Sequence, residues 1–292
     1  MKVLIIGAGG MLGHKLAQVF SEKFDTFATL RKSLNEPQFD EICRKVQIFD
    51  KIDIENLESV NQIVGNVKPD VILNAVGIIK QLPSAKNVIK TLTINSIFPH
   101  QLFEISEANG ARLICISTDC VFSGKKGNYS EADIPDSEDL YGKSKNLGEV
   151  TDGNCLTIRT SIIGRELGTK HSLLEWFLSN DGGKVKGFKN AVFSGFPTNI
   201  LAEILADIIE NQKKLRGLYH VSSEPINKFD LLELIKKYYA GNIKIELDEN
   251  FVIDRSLNSD KFRNETNFKP QNWEKMIEKM ANDETNYAKW KK

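Results

Sequence analysis

Along the first 160 residues the hydrophobic positions fall into short blocks, each followed by a stretch with helical spacing. The first block, residues 2–6 (Lys-Val-Leu-Ile-Ile), is continuous and rich in β-branched side chains. That suits a strand covered on both faces, as in a parallel sheet. In residues 14–20 the pattern becomes helical, with Leu12, Leu16, Val19 and Phe20 on one side. The alternation then repeats. Strands are predicted over 26–30, 46–49, 69–77, 111–119 and 154–159, with helices over 55–64 and 92–109 and a third that begins at Leu140. Such alternation predicts an α/β fold with a doubly wound parallel sheet, the Rossmann architecture. The second half is less regular. Helices are expected over 172–179, 200–212, 227–239 and 273–280, strands over 217–221 and 242–247, and a turn at 181–183. There is no internal repeat and no low-complexity segment.

The turn after the first strand reads Gly7-Ala-Gly-Gly10-Met11-Leu12-Gly13. Strand, glycine turn and helix together offer backbone N–H groups and a helix N-terminus to a pyrophosphate. The spacing is Gly-x-x-Gly-x-x-Gly, not the commoner Gly-x-Gly-x-x-Gly, because position 12 is Leu. A structural glycine turn is the alternative, and position after a buried strand favours dinucleotide binding. An NAD site places an acidic residue near the end of the second strand. Here that strand runs into Arg31-Lys32-Ser33, which suits the 2′-phosphate of NADPH or NADP better than the free hydroxyl of NAD. Asp53-Ile54 is placed to meet an adenine ring, and Asp53 reads equally well as a helix N-cap. Asn74-Ala75-Val76-Gly77 ends the fourth strand in small residues, which let a ligand approach the backbone. Asn95, in the helix that follows, either orients a water or the active-site lysine or faces solvent.

The candidate chemistry lies further on. Tyr141 and Lys145 are one helical turn apart on one face. An ammonium beside a phenol favours the phenolate, and a tuned phenol is a general acid or base for alcohol–ketone interconversion. Ser117, Thr118 and Asp119 close the fifth strand beside the expected nicotinamide position, where hydroxyls can hydrogen-bond a carbonyl. Tyr287 and Lys291 repeat the Tyr-x-x-x-Lys spacing with nothing around them, so context selects the first pair.

Composition removes other classes. Lys plus Arg and Asp plus Glu are 39 each, so no net charge draws the chain to nucleic acid or to an anionic membrane. The basic end 289–292 reads as a solvated tail. No apolar run is long enough to span a bilayer, and the N-terminal block lacks a small-x-small cleavage site, so a cytoplasmic protein is expected. The four cysteines, Cys43, Cys115, Cys120 and Cys155, form no Cys-x-x-Cys and there are only four His, so no metal site is expected and all four read as reduced thiols.

In their order and spacing, these segments resemble the extended short-chain dehydrogenase/reductases. Within them the chain looks most like the dTDP-4-dehydrorhamnose reductase group, which acts on nucleotide-linked 4-keto-6-deoxy sugars. The resemblance covers almost the whole chain. It rests on residues 7–13, 74–77, 117–124, 141–149, 159–161, 196–198, 217–222 and 254–257. It implies Thr118, Tyr141 and Lys145 as the catalytic set. It also implies a cofactor lined by 74–77 and by Arg159, Thr160 and Ser161, with Asn95, Ser117, Tyr141 and Lys145 also contacting it. Asp119, Cys120 and Arg255 fall to the substrate. A smaller C-terminal α+β substrate domain is implied, formed by about 166–196 and 223–292 beside a cofactor domain of 1–165 plus about 197–222. The expected reaction is NADPH-dependent reduction of a sugar nucleotide destined for cell-surface polysaccharide, by a monomer or a homodimer. Cys120 departs from the group, where an aromatic residue, usually Tyr, follows the Thr-Asp pair. A sugar-nucleotide epimerase or dehydratase and a non-catalytic NADP-binding regulatory subunit are the alternatives. The related dehydratases carry Asp-Glu after the threonine, and here Asp119 is followed by Cys120.

Overall fold

In the computed structural model, β1 (Lys2–Ile6) lies near the middle of a seven-stranded sheet. The other strands are β2 (Asp25–Thr29), β3 (Gln47–Phe49), β4 (Val71–Asn74), β5 (Arg112–Thr118), β6 (Cys155–Thr160) and β7 (Gly217–His220). Their order is β7-β6-β5-β4-β1-β2-β3, and every pairing is parallel. The structure describes residues 1–39, 45–239 and 241–287. Cys43, the tail 289–292 and, with it, Lys291 lie outside the described residues.

The continuous apolar run of β1 is explained by two cores, one on each face of the sheet. Val3 and Ile5 enter one core with Leu16 and Phe20 of α1 (Gly13–Ser21). Leu4 and Ile6 enter the other with Val60 and Val64 of α2 (Leu57–Val67). Successive side chains leave a strand on opposite faces, so a strand covered twice cannot alternate apolar with polar. Each such buried Val, Leu or Ile stabilises the fold by about 1.5–3 kcal/mol relative to exposure.

The next helix, α3, starts at Val88–Leu92, earlier than the expected 92, because Asn87 caps it by accepting the Lys90 N–H at 3.0 Å. It passes through a π-helical turn at Thr93–Ile97 and continues as Phe98–Ala108. Then come α4 (Leu140–Leu147), α5 (Leu173–Leu178), α6 (Thr198–Asn211), α7 (Lys228–Tyr239), α8 (Asp260–Thr266) and α9 (Trp273–Ala281). The chain order of the strands reverses at β1 and β4, which opens a crevice at their carboxyl ends, where open α/β sheets bind ligands.

The second half adds small sheets, of which the periodicity reading expected only the strand near 242–247. Lys184–Phe188 pairs in parallel with Lys244–Asp248. Ala191–Phe193 lies between Ile226–Asn227 and Ile253–Asp254. No helix among the described residues is long and apolar enough to cross a membrane. Cys115 and Cys155 are buried and Cys120 half-buried, all three free thiols. Tyr287, expected to stand alone, is buried against His14.

Candidate active site

The glycine turn is shaped by three different demands. Gly7 has φ +96°, and a Cβ there would come within 2.6 Å of Val76 Cγ2. A Cβ on Gly13 would stand 2.1 Å from the Gly7 carbonyl, so glycine lets α1 press on the strand end. Gly10 differs, because its nearest neighbour would be 3.7 Å away and the residue is exposed. The protein itself leaves room for a side chain there, and what glycine provides is open backbone. The α1 N-terminus is also unspent, with no side-chain cap at Leu12 and no acidic residue in the first turn. These residues fit the pyrophosphate of a dinucleotide. Met11 is half-buried, whereas the Leu12 side chain is in the core and can serve only through its backbone.

The end of β2 leads into exposed Arg31 and Lys32. Asp50 fixes this loop by accepting the Leu34 N–H at 2.8 Å. Lys32 pairs with Glu36 at 2.9 Å, and Arg31 makes no ion pair among the described residues. Backbone bonds from Ile52 to Leu30 and from Lys51 to Lys32 bring Asp53-Ile54 alongside. Asp53 is not the α2 cap. It accepts the Glu55 N–H at 3.0 Å in a local turn, and Asn56 caps the helix. Ile54 is half-buried against the α2 core.

At the end of β4, Asn74 accepts the Val76 N–H at 3.1 Å. Ala75 and Val76 are half-buried and Gly77 is exposed, beside Gly7. Asn95 corrects the reading of it as a solvent-facing or cofactor-touching side chain. It is 1% exposed, with Oδ1 accepting from the Ile78 N–H (2.8 Å) and Nδ2 donating to the Ile78 carbonyl (3.0 Å) and Ser144 Oγ (3.1 Å). It therefore ties the loop after β4 to α4. Its own backbone seats α4 as well, since a Cβ on Gly148 would fall 1.9 Å from the Asn95 carbonyl. Asn95 lies in the π-helical turn, a device found often at functional sites.

Helix α4 starts where the sequence places it because Asp139 caps it, accepting the Gly142 N–H at 2.9 Å. Gly142 allows it to press on the turn after β5, since a Cβ would lie 2.2 Å from the Cys120 carbonyl. This sets Tyr141 beside Thr118, whose hydroxyl tempers the shift of the phenol. Thr118 Oγ1 also accepts the Cys120 N–H and donates to Asp119 Oδ1, both at 3.1 Å. Lys145 Nζ donates to the Ile116 carbonyl at 2.8 Å. The net shift of the phenol runs opposite to the easing expected from Lys145. Burial pushes the Tyr141 pKa above its ordinary value, with Cys120 adding to it, and the opposing influence is Thr118. Burial also lowers the Lys145 pKa. The phenol is therefore protonated at neutral pH and poised as a proton donor.

Ser117 and Arg159, expected at the cofactor, are both held by Glu149. Ser117 donates to Glu149 Oε1 at 2.5 Å. Arg159 holds the same carboxylate through Nε (2.8 Å) and Nη2 (2.7 Å), buried at 3% exposure. Adjacent residues on a strand point to opposite faces, so when Thr118 faces the site Ser117 cannot. Thr160 is buried in register with Thr118, and Ser161 is among the groups that lower the Asp119 pKa against burial.

On the substrate side, Asp119 is 6% exposed and burial raises its pKa against the hydrogen bond from Thr118 and the charge of Arg255. Burial and Asp119 push the Cys120 thiol up to about 12. Arg255 Nε donates to the Phe122 carbonyl at 2.9 Å. Two cations escaped the sequence reading. Lys80 stands 5.6 Å over the Tyr141 ring and pairs with Asp139 at 2.5 Å. Lys228, at the start of α7, is half-buried, and Asp119, Cys120 and Arg255 act on its charge. Neither has a sequence signal, because each reaches the site through a loop or a distant helix. Among the described residues no three His, Cys, Asp or Glu are grouped to hold a metal ion.

Residues 1–286 match the family described as RmlD substrate binding domain. The dTDP-4-dehydrorhamnose reductase of Aggregatibacter actinomycetemcomitans is 28% identical over 235 residues, 77% of this chain and 74% of that one. The spore coat polysaccharide biosynthesis protein SpsK of Bacillus subtilis is 29% identical over 231 residues, with the same coverage. Among solved structures, a hypothetical dTDP-4-dehydrorhamnose reductase from Sulfolobus tokodaii superposes with a TM-score of 0.76 at 27% identity, covering 94% of this chain and 98% of the other. With glycine turn, Thr118, Tyr141 and Lys145 in place and the match spanning nearly every residue, the chain belongs to the RmlD substrate binding domain family of extended short-chain dehydrogenase/reductases.

Proposed function

We propose that this chain is an NADPH-dependent reductase of a nucleotide-linked 4-keto-6-deoxy sugar, working in the cytoplasm and supplying a deoxysugar for cell-surface polysaccharide. One observation carries the reading: Tyr141, a half-buried phenol held in its protonated form, stands with Lys145 on α4 beside Thr118 at the carboxyl end of β5, in the crevice that begins at the glycine turn. The names of the relatives from Aggregatibacter and Bacillus agree with it.

In this reading the 7–13 turn holds the pyrophosphate, Arg31 and Lys32 the 2′-phosphate, and Asp53 with Ile54 the adenine. Residues 74–77, Thr160 and Ser161 line the remainder. NADPH, when bound, supplies the hydride that reduces C4 of the sugar. Tyr141 gives its proton to the oxygen that becomes an alkoxide, and Thr118 hydrogen-bonds the same oxygen. Donors fixed in advance around developing charge are worth far more there than in water. Lys145, anchored on the Ile116 carbonyl, holds the nicotinamide ribose. Asp119, Cys120 and Arg255 face the sugar nucleotide. Residues 166–196 and 223–292 form the substrate domain, a division supported by small sheets whose strands, from 184 to 254, pair with one another. Exposed apolar side chains on α3 and α4, Ile89, Ile97 and Leu147, support a homodimer.

A dehydratase needs a second acid–base group beside Asp119. The thiol at 120, held neutral with its pKa near 12, offers none at neutral pH. The test is a screen of dTDP-, UDP- and GDP-linked 4-keto-6-deoxy sugars, following NADPH oxidation by absorbance. Turnover of at least one is expected. NADPH binding without turnover of any would replace this reading with a regulatory binding subunit, and conversion without net NADPH consumption would replace it with an epimerase.

A further inference from the structure

Residues 283–287 pack on the cofactor helix. Tyr287, 5% exposed, hydrogen-bonds His14 Nε2 at 2.8 Å, and His14 Nδ1 lies 2.9 Å from the Gly10 carbonyl. His14 is fully buried. A carbonyl only accepts, so Nδ1 carries the hydrogen and Nε2 receives the Tyr287 hydroxyl. Three further contacts fasten the segment to α1. Lys15 forms a buried ion pair with Asp283. Lys15 Nζ and Gln18 Nε2 donate to Thr285 Oγ1 at 2.9 and 3.0 Å. The Arg165 guanidinium covers the Tyr287 ring at 4.6 Å.

The geometry has a direct bearing on the turn. In a trans peptide the carbonyl of one residue and the N–H of the next point in opposite directions. The Gly10 carbonyl is drawn toward α1 by both the His14 backbone N–H (3.1 Å) and the His14 ring (2.9 Å). The N–H of Met11, in the same peptide unit, is thereby aimed away from α1, and it has no acceptor among the described residues. Gly10 is exposed, and the nearest atom to a Cβ placed on it would be 3.7 Å away.

We propose that residues 283–287 are a clasp on the dinucleotide site: Tyr287, through His14, fixes the Gly10–Met11 peptide with its N–H presented to the cofactor pyrophosphate. The inference rests on the cofactor reading above and is independent of the sugar. His14 and Tyr287 are positioning residues, reaching the cofactor only through the backbone they hold.

Equilibrium binding of NADPH and of NADH, by fluorescence titration of the full chain, tests it. Tyr287→Phe removes one oxygen and is expected to raise Kd for both dinucleotides by roughly three- to tenfold, the scale of one lost hydrogen bond. KM for the cofactor rises in parallel while kcat at saturation holds. His14→Asn, whose amide can still reach the Gly10 carbonyl, retains more affinity than His14→Ala. In the His14→Ala background, adding Tyr287→Phe costs nothing more. Wild-type affinity in a folded Tyr287→Phe protein, or additive losses in the double variant, would overturn the clasp while leaving the cofactor site standing. Wild-type protein that binds neither dinucleotide overturns the cofactor reading and the clasp together.

Discussion

Thr118 acts on the ionisation of Tyr141 although the two lie on different elements, the end of β5 and the first turn of α4. Two glycines make the approach possible. Gly142 lets α4 touch the turn that follows Thr118, and Gly148 lets its far end rest on the α3 backbone. The phenol is raised in pKa by burial and restrained mainly by Thr118, so the pair forms one proton-donating unit.

Replacing Tyr141 by Phe removes the proton donor and leaves the ring. Turnover is expected to drop by roughly two to four orders of magnitude, the range for a lost general acid. NADPH affinity should hardly change, which a fluorescence titration alongside steady-state kinetics would establish. Undiminished turnover would remove Tyr141 from the chemistry.

Asn95→Ala leaves the Ile78 N–H and carbonyl and the Ser144 hydroxyl without their buried partner. A destabilisation of about 3 kcal/mol is expected, since each stranded buried group costs about 1–3 kcal/mol and some regain water. Urea unfolding measures it. Asn95→Asp keeps only the acceptor for Ile78 and should fall between the two. An unchanged midpoint in Asn95→Ala would show that the loop after β4 does not depend on this amide.

Arg31 is the 2′-phosphate residue to test, because Lys32 already answers to Glu36. Arg31→Asp should raise KM for NADPH by roughly ten- to a hundredfold, the worth of a charged hydrogen bond, with KM for NADH nearly constant. A wild type that prefers NADH would sink the assignment.

His14 and His220 make stability depend on acid. Burial lowers the His14 pKa from 6.5 to about 3, and that of His220 to about 4. Above pH 6.5 both are neutral in folded and unfolded chains, and their contribution is fully present. As pH falls from 6.5 toward 3, the unfolded chain takes up protons that the folded one refuses, so stability is lost. The loss is on the order of several kcal/mol when complete. Melting temperatures between pH 7.5 and 4.5 should fall, and less steeply in His14→Asn. Parallel curves would exclude His14 as a source.

What the sequence displayed, and what it hid, follows from which forces are local. The β1 run, the glycine turn and the start of α4 at Leu140 were legible because strand burial, turn chemistry and helical spacing are written within a few residues. The sides of β5 were not. In a strand covered on both faces, composition does not tell Ser117 from Thr118, and only the partners Glu149 and Tyr141 do. Asn95 was recognisable as a polar residue in a helix, but its three bonds depend on Ile78 and Ser144, remote in sequence. The strands at 184–188 and 191–193 are short, and their partners lie near 226, 244 and 253. The second Tyr-x-x-x-Lys illustrates the same limit, since the neighbours of Tyr287 are at the opposite end of the chain.

The strand order has a consequence for biosynthesis. Strand β7 pairs with β6 from about sixty residues further along, Leu156 with Gly217. While the ribosome is making that stretch, β6 is an open edge, one side satisfied by β5 and the other bare, and bare edges recruit foreign strands. A chain halted before residue 217 should aggregate where the finished one does not. Closing a parallel pairing across such a distance is intrinsically slow. The newborn chain thus passes through a vulnerable interval that ends only when β7 emerges and docks.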